Sequence, residues 1–426
     1  MRKSKARLPC CTGRNDRRRS LALPANSEVC AAGEREMLSA FYAGIINGNM
    51  TLGSPDPGDA EFYFRSLLPF CRRARITRIA DLSGLDRIGL PVVQAIRPAA
   101  LSEVTSLGRG MSRASAAIGA IMESFERFYA EAIPASRVFL STAERLEIGA
   151  GSFDGFCLAV SRANWREREI DWIMGVDMAT GAAAPIPFEL VHTIYTDPPP
   201  CHDGVFMRTT TGLACHRSDF GALRHGLLEC IERDAIAQAF KTHGFMDRMR
   251  LPLSGLGTAV QDVLSQVAAL GISAAFWHAV SPTGIPVVWC QTIEAGEGEP
   301  MLALPTEGYC AGLDLHDAAF GALLEALAAR AGAISGARDD QTRKHYAKPS
   351  GAMLADARDL ILGEGAPSIS FVDVLPAVTG LEELLERIIS AGLGPVLAVP
   401  IALETDPDIH CVRTILAGMR PFTVER

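Results

Sequence analysis

Three similar segments recur along the chain, and their repetition restricts the fold more than any other feature of the sequence. They are AAIGAIMESFERFYAE from residue 116, ALRHGLLECIERDAIA from residue 222 and AAFGALLEALAARAGA from residue 318. Each has the apolar spacing of a helix, and a Gly-containing loop precedes each one. Such internal repetition predicts repeated supersecondary units that pack against one another.

Acidic residues occupy matching positions in the three segments. In the first two, the pattern E-x-x-E-R puts two glutamates and an arginine at i, i+3 and i+4, on one side of a helix. In the third, alanines replace the second glutamate and the arginine, and an arginine follows one residue later. The candidate site residues on these helices are Glu123, Glu126, Arg127, Glu229, Glu232, Arg233, Glu325 and Arg330.

Each pattern, taken alone, also fits an ordinary ion pair on a helix surface, worth a few tenths of a kcal/mol. Two observations favour a shared site. The first glutamate of each segment directly follows two large apolar residues, which predicts a position at the edge of a packed face. Similar acids on three helices would repel one another unless cations lay between them.

Clustered carboxylates and arginines suit Mg2+ that carries a nucleotide's phosphates, because carboxylates bind the metal and guanidinium groups bind phosphate. The chain has neither a GxxxxGK[ST] sequence nor a complete G-x-G-x-x-G, so neither a P-loop nor a Rossmann fold is predicted. No G-x-S-x-G or H-E-x-x-H sequence occurs, and the nine histidines are expected to be structural.

The composition predicts a soluble globular protein of the cytoplasm. Of its 426 residues, 48% are hydrophobic and 21% are charged, and no uninterrupted apolar run has the length of a membrane helix. The eleven cysteines are scattered, odd in number and never spaced C-x-x-C. They therefore predict free thiols, with neither a disulfide framework nor a zinc site.

The N-terminal end differs in charge from the rest of the chain. The first twenty residues contain eight Lys or Arg and one Asp, whereas the whole chain has a net charge of −8. Residues 1–36 are therefore predicted to be a basic, disordered tail, or a segment upstream of a true start at Met37, and no nucleic-acid binding is expected. Residues 37–426 are predicted to form one domain, with the main motifs between residues 106 and 345.

Helical and strand patterns alternate through this domain. Helices are predicted at residues 37–48, 58–74, 113–132 and 315–335, besides the helix of the second repeat. Strands are predicted within 76–98, in hairpins at 170–191 (turning at Thr180 and Gly181) and 272–293, and near 369–376 and 394–402. The alternation predicts an α+β or mixed α/β fold, with repeated helix-and-strand units around the site.

Three longer stretches, in this order, resemble the YcaO superfamily across residues 70 to 426. They are GRGMSRASAAIGAIMESFERFYAE, TTTGLACHRSDFGALRHGLLECIERDAIAQAF and ALLEALAARAGAISGARDD. The resemblance implies a YcaO-like domain that uses ATP and Mg2+ to phosphorylate a backbone amide oxygen of a peptide. A nucleophile then attacks the amide carbon, and loss of phosphate leaves an azoline, a thioamide or an amidine.

The resemblance also implies partners and residue roles. The substrate would be a ribosomally made precursor peptide, the partner a TfuA-like or leader-binding protein, and a homodimer is compatible with the family. By position, Glu123, Glu126, Glu229, Glu232 and Glu325 would bind Mg2+, and Arg109, Arg127, Arg233 and Arg330 would bind ATP phosphate. The sequence RDD at residues 338–340 would position a phosphate.

The chain departs from the family pattern at five positions. Arg109 stands at the usual Lys, Gly119 at the usual Ser, Arg217 at the usual Asn, Gly221 at the usual Glu and Ala328 at the usual Gln. The C-terminal MRPFTVER also lacks the Pro-x-Pro-x-Pro tail of azoline-forming members, which favours a thioamide. The missing polar groups leave a second hypothesis open, namely a YcaO-like protein that binds a peptide or partner without catalysis.

Overall fold

The computed structural model describes residues 32–48, 59–242, 249–296, 300–302, 304–336, 351–363, 378, 380–405 and 407–421. Eight α-helices lie in these residues and alternate with strands. The helices are α1 (Ala32–Ile46), α2 (Ala60–Arg73), α3 (Arg113–Glu131), α4 (Asp219–Thr242), α5 (Thr258–Ala268), α6 (Leu315–Ser335), α7 (Gly351–Leu362) and α8 (Leu381–Ser390).

Thirteen strands in the described residues form three antiparallel sheets. The strands are β1 (Arg78–Asp81), β2 (Val92–Ile96), β3 (Thr105–Arg109), β4 (Val138–Ser141), β5 (Ile170–Asp177), β6 (Ala183–Pro187), β7 (Leu213–His216), β8 (Arg250–Leu251), β9 (Ile272–His278), β10 (Val287–Glu294), β11 (Thr306–Ala311), β12 (Val396–Thr405) and β13 (Asp408–Leu416). The strand orders are β1-β2-β3, then β4-β5-β12-β13-β7 with β6 beside β5, and β11-β10-β9-β8. The mixed helix-and-sheet fold predicted from the sequence is confirmed.

The N-terminal boundary differs from the prediction. Helix α1 begins at Ala32, so residues 32–36, which the sequence assigned to the tail, belong to this helix. The helix is held by Leu38, Phe41 and Ile45, which are buried at helical spacing. The rest of the predicted tail, residues 1–31, lies outside the described residues.

The predicted hairpins are present. Strands β5 and β6 pair with Val176 opposite Ala183, and Gly181 in the turn has a φ of 72°, a conformation that glycine adopts without steric cost. Strands β9 and β10 form the second hairpin. The predicted strand near 369–376 and the RDD sequence at 338–340 lie outside the described residues.

Each of the three sequence repeats is a strand followed by a helix. The first unit is β3 with α3, the second is β7 with α4, and the third is β11 with α6. In the described topology β3, β7 and β11 are each the last strand of a different sheet. The repeated helices therefore run along three sheet edges, where backbone N–H groups lack a neighbouring strand.

Two glycines let a helix approach its own strand closely in the first and third units. A Cβ on Gly108 would lie 2.0 Å from the carbonyl oxygen of Ala116, and one on Gly308 would lie 2.4 Å from that of Ala322. Real Cβ contacts are never this short, so only glycine fits at these positions. The close packing places the middle of each helix, where its glutamate lies, beside the sheet edge.

Helix α6 is the most apolar of the repeated helices. By length and composition it is the one helix in the described part of the chain that could span a membrane, but 67% of the relevant window is buried inside the protein. Ala318, Ala322 and Leu323 pack there against α5 and β10. Its hydrophobicity is accounted for by this core.

Candidate functional site

The first glutamate of each repeat lies at the same place on its helix. Glu123, Glu229 and Glu325 each lie ten residues after the first residue of α3, α4 and α6. Glu123 accepts a hydrogen bond from the Leu107 N–H of β3 at 3.0 Å, and Glu229 accepts one from the Gly212 N–H just before β7 at 3.0 Å. Each of these carboxylates therefore accepts a backbone hydrogen bond from the strand segment of its own unit.

The second glutamate of each pair reaches the next unit. Glu126 on α3 accepts a hydrogen bond from the Cys215 N–H of β7 at 2.9 Å, and Glu232 on α4 accepts one from the Ala311 N–H of β11 at 3.2 Å. Helix α6 carries Ala328 at the equivalent position and packs on β3, the strand of the first unit. The three units thus contact one another in a closed ring.

Arg109 completes this ring by pairing with Glu325. Its Nη2 lies 2.8 Å from Oε2 of Glu325, so a cation from β3 joins the first unit to the third. Ala328 is buried with Leu82 and Val92, which explains the absence of a polar side chain at that position. We call Glu123, Glu126, Glu229, Glu232 and Glu325 the glutamate cluster.

Two more of the predicted arginines lie at the glutamate cluster. Arg127 donates from Nη2 to Glu123 and to Glu103, both at 2.8 Å, and from Nη1 to the carbonyl oxygen of Thr105 at 2.9 Å. The Nε of Arg233 lies 3.3 Å from Glu232 and 3.9 Å from Glu229. Arg127 is held by hydrogen bonds to backbone and side-chain groups, whereas within the described residues the contacts of Arg233 are ion pairs.

Arg330 is placed elsewhere, which corrects the prediction that it binds phosphate. Its side chain is buried and pairs with Asp86 at 2.7 Å and with Glu294 at 2.6 Å. Because it follows Glu325 by five residues, it projects roughly 140° away around the helix. Both partners are themselves buried, so Arg330 is a structural cation of the core.

Carboxylates of all three units interact electrostatically with one another. Burial raises the pKa of Glu126 well above its ordinary value, and repulsion from Glu123 and Glu229 adds to the increase. Burial also raises the pKa of Glu232 to about 7, with Arg233 opposing the rise and Glu325 and Glu229 adding to it. Burial and mutual repulsion therefore both disfavour the ionised form of Glu126 and Glu232.

The residues of the cluster fit Mg2+ and phosphate by their chemistry. Five carboxylates supply hard oxygen ligands, and their mutual repulsion would fall if a cation lay among them. In the described residues, no three His, Cys, Asp or Glu side chains are already arranged around one metal position. Four of the glutamates direct one oxygen to a backbone N–H, so metal binding requires their side chains to shift.

Two departures near the start of α4, at Arg217 in the preceding loop and Gly221 in the first turn, have a structural explanation. The Arg217 guanidinium lies 4.0 Å over the ring of Tyr63 on α2. At Gly221, a Cβ would lie 1.9 Å from Nδ1 of His216, so a side chain there would require the His216 ring to move. At both positions the chain makes contacts within the protein.

Two residues at the cluster were missed by the sequence reasoning. Glu103 binds Arg127, and nothing in its local sequence marks it. His225 interacts electrostatically with Glu229, Glu325 and Arg109. It precedes Glu229 by four residues and therefore lies on the same helix face, a signal that the sequence contained.

Comparison with known proteins supports the resemblance found in the sequence. The family model described as YcaO cyclodehydratase, ATP- and Mg2+-binding, matches residues 107–420. An uncharacterized protein of Methanothermobacter thermautotrophicus is 29% identical over 82% of this chain and 91% of its own length. A protein in the tfuA 3' region of Rhizobium leguminosarum bv. trifolii is 26% identical over 84% of this chain and 86% of its own.

Solved structures share the fold. YcaO from Methanopyrus kandleri, bound with AMPPCP and Mg2+, matches with a TM-score of 0.64 and 22% identity over 87% of this chain and 96% of its own. A heterocyclase in complex with substrate and cofactor also has a TM-score of 0.64, with 15% identity over 84% of this chain and 52% of its own. Both are similar to this chain in architecture.

Proposed function

Because the chain belongs to the YcaO family, whose members bind ATP and Mg2+, we propose that it uses Mg-ATP to activate a backbone amide of a ribosomally made peptide. The observation that carries the proposal is the ring of three units, which brings five glutamates together with Arg109, Arg127 and Arg233. ATP-dependent peptide modification is the general activity of this family.

Activation of an amide by Mg-ATP requires a site that holds both Mg2+ and phosphate. An amide oxygen is a poor leaving group, and ATP supplies the phosphoryl group that makes it a good one. The glutamate cluster would hold Mg2+, while Arg109 and Arg233, at the ring's inner contacts, would orient phosphate oxygens. Arg127 holds Glu123 in place and fixes the β3 edge through the carbonyl of Thr105.

For the product we propose a thioamide formed with a TfuA-like partner protein in the cytoplasm. The relative from the tfuA 3' region supports this choice. Mass spectrometry of a candidate precursor peptide encoded beside the gene separates the products. A thioamide exchanges oxygen for sulfur, whereas an azoline loses one water.

The activity is tested by Mg2+-dependent ATP hydrolysis with and without that peptide. We expect stimulation by the peptide in the wild type, loss of hydrolysis in Glu229→Ala, and no change in the control Glu386→Ala, which alters an exposed residue of α8. Wild-type turnover in Glu229→Ala would refute the assignment of the site.

A second function, peptide or partner binding without catalysis, is favoured by the contacts that replace polar ligands at Arg217 and Gly221. Calorimetry with Mg2+ and AMPPCP separates the two functions. Measurable binding of the nucleotide analogue by the wild type supports the enzyme, and its absence supports the binding protein.

A further inference from the structure

Two positions near the start of α4, Arg217 in the preceding loop and Gly221 in its first turn, depart from the polar pattern of the family. Arg217 is directed to Tyr63, and a side chain at position 221 would require the His216 ring to move. Position 221 lies one helical turn before His225 and two turns before Glu229, on the same face of α4. A side chain one turn further along the helix can therefore supply the polar group that position 221 does not carry.

His225 occupies that position with an unsatisfied ring. Its side chain is exposed, although Glu229 on the same face is half-buried and Glu232 is buried. Within the described part of the chain, its ring nitrogens form no hydrogen bond or ion pair. A polar group that is accessible and unbonded beside five carboxylates is placed to contact a ligand.

The charges around His225 show which part of a ligand it would meet. Glu229 and Arg224 face it from α4, Arg109 faces it from β3, and Glu325 faces it from α6. Surrounding protein atoms lower its pKa through desolvation, so the imidazole is neutral near pH 7, with one N–H donor. The charged groups that face His225 are therefore two glutamates of the cluster and two arginines.

We propose that His225 donates a hydrogen bond to the phosphate chain of the bound nucleotide, one helical turn beyond Gly221, which has no side chain to do so. The inference rests on the proposed function, since it requires that the glutamate cluster bind Mg-nucleotide. His225 shares a helix face with Glu229 and interacts electrostatically with Arg109, and these two residues would hold Mg2+ and phosphate oxygens in the proposed site. His225 thus acts as a phosphate contact and not as a structural histidine of α4.

The test measures binding of AMPPCP with Mg2+, and of AMP, to wild-type protein and to His225→Ala and His225→Gln. A hydrogen bond to a charged group corresponds to a loss of about 10- to 100-fold in affinity. We expect that loss for AMPPCP in His225→Ala, recovery of most of the affinity in His225→Gln, and little change for AMP. The control His316→Ala alters an exposed histidine bonded to the carbonyl of Gly255 and should bind both nucleotides as the wild type does.

A second measurement is independent of whether the variants fold. In wild-type protein carrying isotope-labelled histidine, the His225 ring resonance should shift on addition of AMPPCP with Mg2+ but not of AMP. Unchanged AMPPCP affinity in His225→Ala, equal losses for AMP and AMPPCP, or an unmoved resonance would each overturn the inference. Absence of AMPPCP binding by the wild type would refute the proposed function itself, which separates the two failures.

Discussion

Replacement of Arg330 by Met tests whether this arginine belongs to the core or to the nucleotide site. Arg330 has 2% of its side chain exposed, and its partners Asp86 and Glu294 each have 4% exposed. Arg330→Met leaves two carboxylates buried without their shared cation. Removing one partner of a buried ion pair costs about 3–5 kcal/mol, so the free energy of unfolding should fall by that amount.

Arg87 offers a matched control, because it also pairs with Glu294 at 2.8 Å but keeps 39% of its side chain exposed. Water screens such a pair, and Arg87→Met should cost about 1 kcal/mol or less. Adding Asp86→Asn and Glu294→Gln to Arg330→Met should recover much of the loss, since the buried charges are then gone.

The assay is chemical denaturation followed by fluorescence, combined with calorimetry using AMPPCP and Mg2+. We expect Arg330→Met to unfold at lower denaturant concentration and, while folded, to bind AMPPCP as the wild type does. Wild-type stability together with abolished AMPPCP binding would show that Arg330 contacts the nucleotide, and our account of α6 would be wrong.

Three further predictions address the glutamate cluster and the start of α4. Glu126→Gln keeps a backbone acceptor but removes a repelled charge, so thermal unfolding should occur at the wild-type temperature or above while calorimetry shows weaker Mg-AMPPCP binding. Glu232 has its pKa raised from 4.5 to about 7, so its contribution to stability is fully present below 4.5 and is lost as the pH rises through about 7. Mg2+ affinity should increase over the same interval with release of a proton, and a pH-independent affinity in calorimetric titrations would contradict this. Gly221→Ala should lower the free energy of unfolding by about 1–3 kcal/mol, because the added Cβ meets the His216 ring. The control is Gly33→Ala on α1, where a Cβ meets nothing within 4 Å, and it should be neutral or stabilising in the same denaturation assay.

The repeated helices could be predicted because helix periodicity is local. Glutamates at i and i+3 face one side whatever surrounds the helix, and the matching positions of Glu123 and Glu229 were visible in the sequence. The same rule shows why the prediction for Arg330 was wrong. An arginine five residues after Glu325 does not share its face, and it points into the core instead.

His225 shows a signal that was present but not used. It precedes Glu229 by one helical turn, so the sequence places both residues on the same helix face. The expectation that all nine histidines are structural does not use this spacing. The role of Glu103 could not be predicted in this way. It precedes β3 and meets Arg127 only because α3 folds back on that strand.

The sequence by itself determined three repeated helices, the side of each that carries acids, and the family to which the chain belongs. Only the tertiary structure decided that the three acidic sides meet. Strands β3, β7 and β11 are edge strands of three separate sheets, and these strands are far apart along the chain. The N–H groups at those edges need acceptors, and the glutamates of the same and neighbouring units supply them. Local spacing fixes which residues share a helix face, but long-range packing alone fixes what that face meets.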